Sequence, residues 1–351
     1  MPKKQSDDTK EKLRSRKESS PILPQDYLST GSTLLNLACS GRIHGGIPKW
    51  HYVFFVGDSA SGKSFLSMTC LAEAANNPEF DSYRFIGDDA ENRRLMDIGK
   101  FFGKKVASRL EPPRIDHNGQ AAYSSTIEEF YFHLDDALDN GPCIYILDSM
   151  DALDSMSASK KFKENKKAYR KQDDEEEGEE KLKGSYGDGK AKINSSELRR
   201  MIPRLKKSGS ILIIINQTRD NIGAFTLEKK TRSGGNALRF YATLELWSSV
   251  VGKVHQTVKG KKRQIGITSK VQVKKNDLTG KDWAIELPIY WSYGIDDVGS
   301  CVDYLLEEKH WSKSGQTINA LEFAFKGTTD KLIDMIEEKG MEKDLRLLVA
   351  K

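Results

Sequence analysis

The strongest chemical signal in the sequence is the octapeptide Gly57-Asp58-Ser59-Ala60-Ser61-Gly62-Lys63-Ser64. It has the spacing of a phosphate-binding loop, and it lies between an apolar segment and a helical pattern, as such a loop requires. Its glycines let successive backbone N–H groups point at phosphate oxygens, and the helix N-terminus adds the positive end of its dipole. Lys63 would neutralise the β- and γ-phosphates of a nucleotide, and Ser64 would place a hydroxyl on Mg²⁺. The loop therefore predicts a site for a nucleoside triphosphate and Mg²⁺.

A carboxylate ends one of the apolar segments. Asp148 follows Cys143–Leu147, a continuous apolar run that suits a strand buried on both faces. A carboxylate at the carboxyl edge of such a strand can contact Mg²⁺, either directly or through a bound water. The same position also suits a helix N-cap, so the assignment of Asp148 to the metal depends on the phosphate-binding loop.

Three more carboxylates follow the apolar segment at residues 83–87. They are Asp88, Asp89 and Glu91. Hydrolysis of a nucleotide needs a group that orients or deprotonates water, and any of the three could be that base. They could instead cap a helix over residues 92–99.

A polar edge also follows the most apolar segment, residues 211–215. This edge is Asn216-Gln217-Thr218-Arg219. A polar amide at the end of a central strand could contact the γ-phosphate and transmit its loss to the next loop, residues 218–235. Basic, aromatic and glycine residues of this loop could contact a phosphate backbone. They are Arg219, Phe225, Lys229, Lys230, Arg232, Gly234 and Gly235. An ordinary surface loop accounts for the same composition equally well.

The elements that must position these residues alternate between short strands and helical patterns. The strand candidates are His51–Val56, Tyr83–Gly87, Cys143–Leu147, Ser210–Ile215, Ala242–Trp247 and Thr268–Val273. The stretches between the first four are long enough for crossover helices. This alternation predicts an α/β fold of the P-loop nucleotide-hydrolase type, with a mostly parallel sheet flanked by helices.

Composition excludes several classes of protein. The chain has 351 residues, of which 37% are hydrophobic and 30% charged, and its net charge is +5. This balance indicates a globular protein without a membrane partner, because no apolar run approaches the length of a membrane helix. The four cysteines lie far apart without paired spacing, which argues against a zinc site or disulfide framework. The residues therefore favour a cytoplasmic location.

Composition also divides the chain. Residues 1–27 are polar and are expected to form a mobile arm, followed by a core over 28–297. Residues 157–190 form a charged insert, basic in its first half and acidic in its second. Such blocks are usually solvated, disordered loops, although a loop that orders on binding is the alternative. Residues 298–351 are predicted to be a small C-terminal α/β domain.

In order and spacing, five stretches resemble the RecA family of recombinases. They are Leu28-Ser29-Thr30-Gly31-Ser32, Asp89-Ala90-Glu91, Leu147-Asp148-Ser149, Ile215-Asn216-Gln217-Thr218-Arg219 and Gly234-Gly235-Asn236-Ala237-Leu238-Arg239-Phe240-Tyr241. The last is the most specific, because generic P-loop ATPases lack it. The resemblance runs from about residue 28 to residue 297 and continues weakly beyond. It implies that the core is a RecA-like ATPase.

The resemblance assigns roles to individual residues of the nucleotide site. Glu91 matches the catalytic glutamate that activates water, and Asp148 matches the aspartate that contacts Mg²⁺. Gln217 matches the glutamine that senses the γ-phosphate and couples it to DNA. Together with Lys63 and Ser64 of the phosphate-binding loop, these residues imply a DNA-dependent ATPase with ATP and Mg²⁺ as cofactors.

The resemblance also implies the partners. Residues 218–235 match the second DNA-binding loop, the charged insert reaches the position of the first, and residues 184–189 would lie nearest DNA. Arg239 and Phe240 match subunit-interface residues. The implied assembly is a helical filament on single-stranded DNA that pairs with homologous double-stranded DNA, in recombination and DNA repair. A single-strand-binding protein or a loader is a candidate partner.

The sequence departs from the bacterial protein in three places. Lys275 matches the first of two lysines that reach the neighbouring subunit's ATP, but Asp277 replaces the second. The N-terminal arm is short, and the charged insert is atypical. These features favour a divergent, phage-type or UvsX-like member, in a bacterial or phage-infected cell. Two alternatives are a ring-forming helicase of the DnaB type and a recombination mediator that binds nucleotide without turnover.

Overall fold

Runs of apolar and β-branched residues form the strands of the molecule. The computed structural model of the chain describes residues 22–93, 96–172, 189–220, 230–232, 234–258 and 261–350. Within them the strands are β1 Tyr27–Leu28, β2 Ile47–Pro48, β3 Tyr52–Gly57, β4 Arg84–Asp88, β5 Arg114–Ile115, β6 Ala121–Ala122, β7 Cys143–Leu147, β8 Ile211–Asp220, β9 Lys230–Arg232, β10 Leu244–Val258, β11 Lys261–Asn276, β12 Ala284–Tyr290, β13 Gly294–Ile295, β14 Ser312–Ser314, β15 Thr317–Ala320 and β16 Phe325–Gly327.

Helices connect these strands and cover both faces of the main sheet. They are α1 Thr33–Ser40, α2 Lys63–Ala75, α3 Ile98–Phe102, α4 Lys104–Arg109, α5 Ile127–Asp139, α6 Met156–Gln172, α7 Gly189–Ser208, α8 Asn236–Tyr241, α9 Asp297–Glu307, α10 Thr329–Glu338 and α11 Glu342–Val349. Over the described residues, none of the helices is both long and apolar enough to span a lipid bilayer.

In the described part of the chain, the main sheet has nine strands. Their order is β13-β12-β11-β10-β3-β8-β7-β4, and β9 pairs with β8 outside that order. The strands β10, β3, β8, β7 and β4 run parallel, while β11, β12 and β13 extend one side in antiparallel fashion. The predicted α/β fold with a mostly parallel sheet flanked by helices is confirmed.

The central strands are apolar at every position because both faces of the sheet are buried. Along β8, Ile211, Ile213 and Ile215 face one core, while Leu212 and Ile214 face the other. All five side chains are buried. Successive side chains of a strand point to opposite faces, so an apolar residue is needed at every position.

The C-terminal region packs onto the first of these cores. Val302 of α9 and Leu345 of α11 are buried in the same apolar cluster as Leu35 of α1. The carboxylate of Asp297 accepts hydrogen bonds from the backbone N of Thr33 at 2.6 Å and from Arg346 at 3.1 Å. Residues 298–350 form helices and a three-stranded sheet, the α/β composition predicted for this region.

The charged insert differs from the predicted loop. Residues 157–172 belong to α6, and α7 begins at Gly189, so the prediction of a disordered segment is corrected there. The cause is local, because the first half of the insert is rich in lysine and other strong helix formers. The Oγ of Ser155 also accepts a hydrogen bond from the N of Ala158 at 3.2 Å, which caps α6. Residues 173–188 lie outside the described residues.

The arm also ends earlier than predicted. Ile22 and Tyr27 are buried, and β1 pairs in antiparallel register with β2. The described structure therefore includes residues 22–27, of which Ile22 and Tyr27 are buried while residues 23–25 are exposed. Residues 1–21 lie outside the described residues.

The helix α5 offers a test of the second core. Phe130 is fully buried and contacts the rings of Tyr131 and Tyr145, with ring centroids 4.7 and 5.9 Å apart. We expect Phe130→Ala to lower the free energy of unfolding by about 3–5 kcal/mol, because it removes a buried ring and leaves a cavity. Chemical denaturation measures this change. Phe132, on the same helix, is 51% exposed, and Phe132→Ala should cost less than about 0.5 kcal/mol. Equal losses for both variants would contradict the assigned packing.

Candidate functional site

The phosphate-binding loop joins β3 to α2 and is supported by two neighbouring strands. The Oγ of Ser61 lies 2.7 Å from the Oγ of Ser248 of β10, and Ser269 of β11 donates to the carbonyl of Ser61 at 2.8 Å. A Cβ on Gly57 would lie 2.3 Å from the backbone oxygen of Ser248. The loop therefore needs glycine at 57, because β10 passes too close for a side chain.

Lys63 lies inside the curve of this loop. Its Nζ donates hydrogen bonds to the carbonyls of Gly57 at 2.8 Å and Asp58 at 2.6 Å. Burial lowers the pKa of Lys63, and the carboxylates of Asp148 and Glu91 oppose that shift. Its ammonium group is thus positioned by weak neutral acceptors, which phosphate oxygens would replace as stronger partners.

A small pocket opens beside the loop. Its volume is about 140 Å³, and it is lined by Ser64, Asp89, Glu91, Arg93, Met96 and Asp148. The predicted metal contacts Ser64 and Asp148 therefore lie in one pocket with Glu91. Among the described residues, no cluster of three or more His, Cys, Asp or Glu is placed to bind a metal alone. The oxygen donors of Ser64 and Asp148 fit Mg²⁺, which usually takes one or two protein oxygens together with phosphate oxygens and water.

Glu91 and Gln217 meet at this pocket. The amide of Gln217 donates a hydrogen bond to Oε1 of Glu91 at 2.8 Å, and the hydroxyl of Ser149 donates to the same oxygen at 2.5 Å. The other oxygen, Oε2, lies 3.7 Å from Arg93. Two segments that are far from Glu91 in the sequence, together with the nearby Arg93, thus orient its carboxylate.

The structure distinguishes the three candidate bases. Asp88 accepts hydrogen bonds from Ser124 and Tyr145 and does not line the pocket. Asp89 lines the pocket and accepts a hydrogen bond from the backbone N of Arg93 at 3.3 Å, whereas Glu91 lines the pocket and accepts one from the amide of Gln217. The alternative of a cap for a helix over 92–99 is corrected, because α3 begins at Ile98 and is capped by Asp97.

Asp58 of the phosphate-binding loop contacts two residues that follow Gln217 in the sequence, one on β8 and one on β9. Its carboxylate accepts hydrogen bonds from the hydroxyl of Thr218 and the ammonium of Lys230. Burial raises the pKa of Asp58, but the hydrogen bonds from Lys230 and Thr218 outweigh this and hold it below the usual value. Nucleotide loop and predicted DNA loop are therefore in direct contact.

Sequence reasoning missed one carboxylate of this site. Asp151 accepts a hydrogen bond from the backbone N of Gln217 at 2.5 Å and lies 3.5 Å from the guanidinium of Arg219. Nothing in its local sequence sets Asp151 apart. Only the pairing of β7 with β8 brings its turn next to Gln217.

The predicted DNA-contact residues that the structure describes fall into three groups. Arg219 and Lys230 are exposed at their side chains by 64% and 45%. Arg232 is only 14% exposed, because its guanidinium turns inward to Glu245. Gly235, beside Gly234, has a φ of +84° and passes so close to Ala191 of α7 that a Cβ would lie 2.6 Å away. Phe225, Lys229 and residues 184–188 lie outside the described residues.

The predicted interface residues sit on α8. Phe240 is 73% exposed, whereas Arg239 pairs with Glu245 of its own chain at 3.2 Å. Lys275 donates to three carbonyls at the end of α8, those of Arg239, Phe240 and Ala242, and pairs with Asp277 at 3.0 Å. Lys275 therefore caps this helix and does not reach the phosphate-binding loop of its own chain.

Comparisons with known proteins agree with these features. The family model described as "RecA N-terminal domain" matches residues 171–296. The protein RecA of Cytophaga hutchinsonii is 28% identical over 88% of this chain and 74% of that protein. The RecA of Thermus aquaticus is 25% identical over 91% of this chain and 83% of that protein.

These matches, with identities of 25–28%, support a divergent protein of the RecA type. The family model covers Gln217, the second loop and α8. An aligned stretch of 88% of the chain necessarily also includes residues 57–64. The narrower expectation of a phage-type or UvsX-like RecA stays a prediction.

Gly57 provides a test of the close contact between the phosphate-binding loop and β10. Gly57→Ala should lower the free energy of unfolding by about 1–3 kcal/mol, because the new Cβ collides with backbone that has no room to move. Thermal or chemical denaturation measures the loss. Gly189→Ala is the matched control, since its Cβ would lie 3.8 Å from the nearest side chain. That variant should change stability by less than about 1 kcal/mol; a loss as large as that of Gly57→Ala would refute the explanation.

Proposed function

We propose that this protein is a DNA-dependent ATPase that forms filaments on single-stranded DNA. In recombination it would promote homologous pairing with double-stranded DNA and strand exchange. One observation carries the proposal: the side chain of Gln217 donates to Glu91 in the pocket, while Thr218, the next residue, donates to Asp58. Through these two residues, the strand that leads to the predicted DNA loop contacts both the candidate base and the phosphate-binding loop.

The nucleotide would be ATP with Mg²⁺. Lys63 would bind the β- and γ-phosphates, and the backbone N–H groups of residues 57–64 would donate to phosphate oxygens. Ser64 and Asp148 would hold Mg²⁺, which would neutralise charge that develops on the phosphates. The charge of Lys63 is useful in this buried position, because electrostatic interactions are stronger where water is excluded.

Glu91 would orient the attacking water and accept its proton. The hydrogen bonds from Gln217 and Ser149 fix Oε1, so the carboxylate is held in one orientation before the nucleotide arrives. A γ-phosphate would compete with Glu91 for the amide of Gln217. The side chain of Gln217 would then turn, and β8 would transmit the change to the loop over 218–235.

DNA would bind where basic side chains remain exposed at the end of β8 and at the start of β9. Arg219 and Lys230 flank residues 221–229, and both have partners, Asp151 and Asp58, that lie at the nucleotide site. Phosphates of DNA are stronger competitors for these cations than partly exposed carboxylates. Subunits would associate head to tail through α8 and the exposed Phe240, an arrangement that generates a filament when it does not close.

Turnover of ATP tests the proposal. We expect single-stranded DNA to stimulate hydrolysis strongly at low salt and less at high salt, because the contacts are electrostatic. Glu91→Gln should lower the turnover by about a hundredfold or more while ATP still binds, because it removes the base and keeps the size of the side chain. Phosphate release and nucleotide affinity are measured separately.

Glu286→Gln is the control for this substitution, since it makes the same change on an exposed position of β12. Turnover that ignores DNA in the unaltered protein would contradict the proposal. Electron microscopy on DNA would then distinguish a ring-forming helicase from a protein that only binds nucleotide. Filaments on DNA are the expected result.

Arg219 tests the DNA contact by itself. Arg219→Ala should weaken binding of single-stranded DNA and reduce the slope of log affinity against log salt by about 0.7, because one phosphate contact is lost. Fluorescence anisotropy across a salt series measures both quantities. Arg200→Ala is the control, since Arg200 is 52% exposed and pairs with Glu197 on α7. An unchanged slope for Arg219→Ala would remove Arg219 from the DNA site.

A further inference from the structure

A buried carboxylate in β10 has no role in the site described so far. Glu245 lies in register with Phe54 of β3 and Lys275 of β11, and only 1% of its side chain is exposed. Its neighbours Leu244 and Leu246 face the first core, so Glu245 faces the second. A buried carboxylate is strongly disfavoured unless cations compensate for its charge.

Two arginines from different elements, Arg232 of β9 and Arg239 of α8, supply this compensation. The Nε of Arg232 lies 3.3 Å from Oε1 of Glu245, and the Nε of Arg239 lies 3.2 Å from Oε2. Each oxygen therefore faces a different guanidinium. Because both arginines depend on one negative charge, a change at either arginine alters the environment of the other.

The hydrogen bonding of this cluster is incomplete. Among the described residues, neither oxygen of Glu245 has a hydrogen-bond partner of regular geometry, and neither does the Nε of Arg232. The hydroxyl of Tyr52 and the indole N–H of Trp247, both buried, also lack one. Buried polar groups are nearly always hydrogen-bonded in native proteins. The cluster therefore has unused donors and acceptors, with which a small movement of the arginines would form better contacts.

The two arginines lie at functionally different ends of one short segment. Arg232 ends β9 and pairs in register with Thr218, next to Gln217. Arg239 lies in α8, beside the exposed Phe240. The carboxylate of Glu245 therefore contacts two elements. One is the strand pair β8–β9, which extends from Gln217 at the pocket, and the other is α8, which carries the exposed ring of Phe240.

We propose that Glu245 is a positioning residue that couples the second DNA loop to the subunit interface on α8. The inference rests on the proposed function, since it needs DNA at the loop and a neighbouring subunit at α8. When β9 moves on DNA binding, Arg232 shifts relative to Oε1. The charge of Glu245 then attracts Arg239 more strongly, and α8 moves with Phe240. A subunit on DNA thereby presents a changed surface to the next subunit.

The experiment is a mutant cycle on ATP turnover, read as a function of single-stranded DNA concentration. Arg232→Gln, Arg239→Gln and the double variant are prepared with Glu245 and with Glu245→Gln. With Glu245 present, the combined effect on the half-saturating DNA concentration should differ from the product of the single effects by at least about threefold. With Glu245→Gln, the effects should multiply, and the Hill coefficient for DNA should fall toward one.

A purely structural role would not move the Hill coefficient, and melting curves confirm that each variant is folded. Arg200→Gln is the control and should change neither quantity. If Glu245→Gln fails to fold, the cycle of the two arginines with Glu245 present decides alone. Effects that multiply there overturn the coupling while the DNA-stimulated turnover of the unaltered protein still stands. An unaltered protein without DNA stimulation overturns the proposed function instead, and the coupling with it.

Discussion

Backbone pairing between β3 and β8 holds Gly57 opposite Gln217. The contacts of the candidate site depend on this parallel register. It places the amide of Gln217 at Glu91 and the hydroxyl of Thr218 at Asp58. A shift by one residue would turn Gln217 to the other face of the sheet. The buried isoleucines of β8 prevent such a shift, because it would exchange the side chains that fill the two cores.

Charge is the second constraint on the site. Burial and the carboxylates of Asp148 and Glu91 act in opposite directions on the pKa of Lys63. Asp58 and Asp151 bind the cations Lys230 and Arg219 at the same time. Anionic residues therefore connect the nucleotide loop with the basic segment beyond β8. A bound nucleotide would compete for Lys63, and a bound DNA strand would compete for Lys230 and Arg219, so each would alter contacts of these carboxylates.

The residues to which the family resemblance assigns roles differ in their surroundings. Glu91, Asp148 and Ser64 line one pocket, as the motifs lead one to expect. Lys275 behaves differently, because its three carbonyl contacts and Asp277 hold it at the end of α8. A lysine that must reach a neighbouring subunit would have to leave these partners. The replacement of a lysine by Asp277 thus changes the local contacts of Lys275 as well as the charge.

The sequence by itself determined the phosphate-binding loop, the main strands and the α/β class, since these follow from local spacing and from alternating burial. Residue types alone left the choice among Asp88, Asp89 and Glu91 open, because neighbouring carboxylates differ only in where their side chains point, and the family resemblance implied Glu91. It also predicted a loop where lysine-rich residues form α6. Only the tertiary structure showed that Asp151 contacts Gln217 and that Glu245 compensates two arginines. Such contacts join residues that are distant in the chain. Strand register decides which of these residues meet, and no local sequence pattern specifies that register.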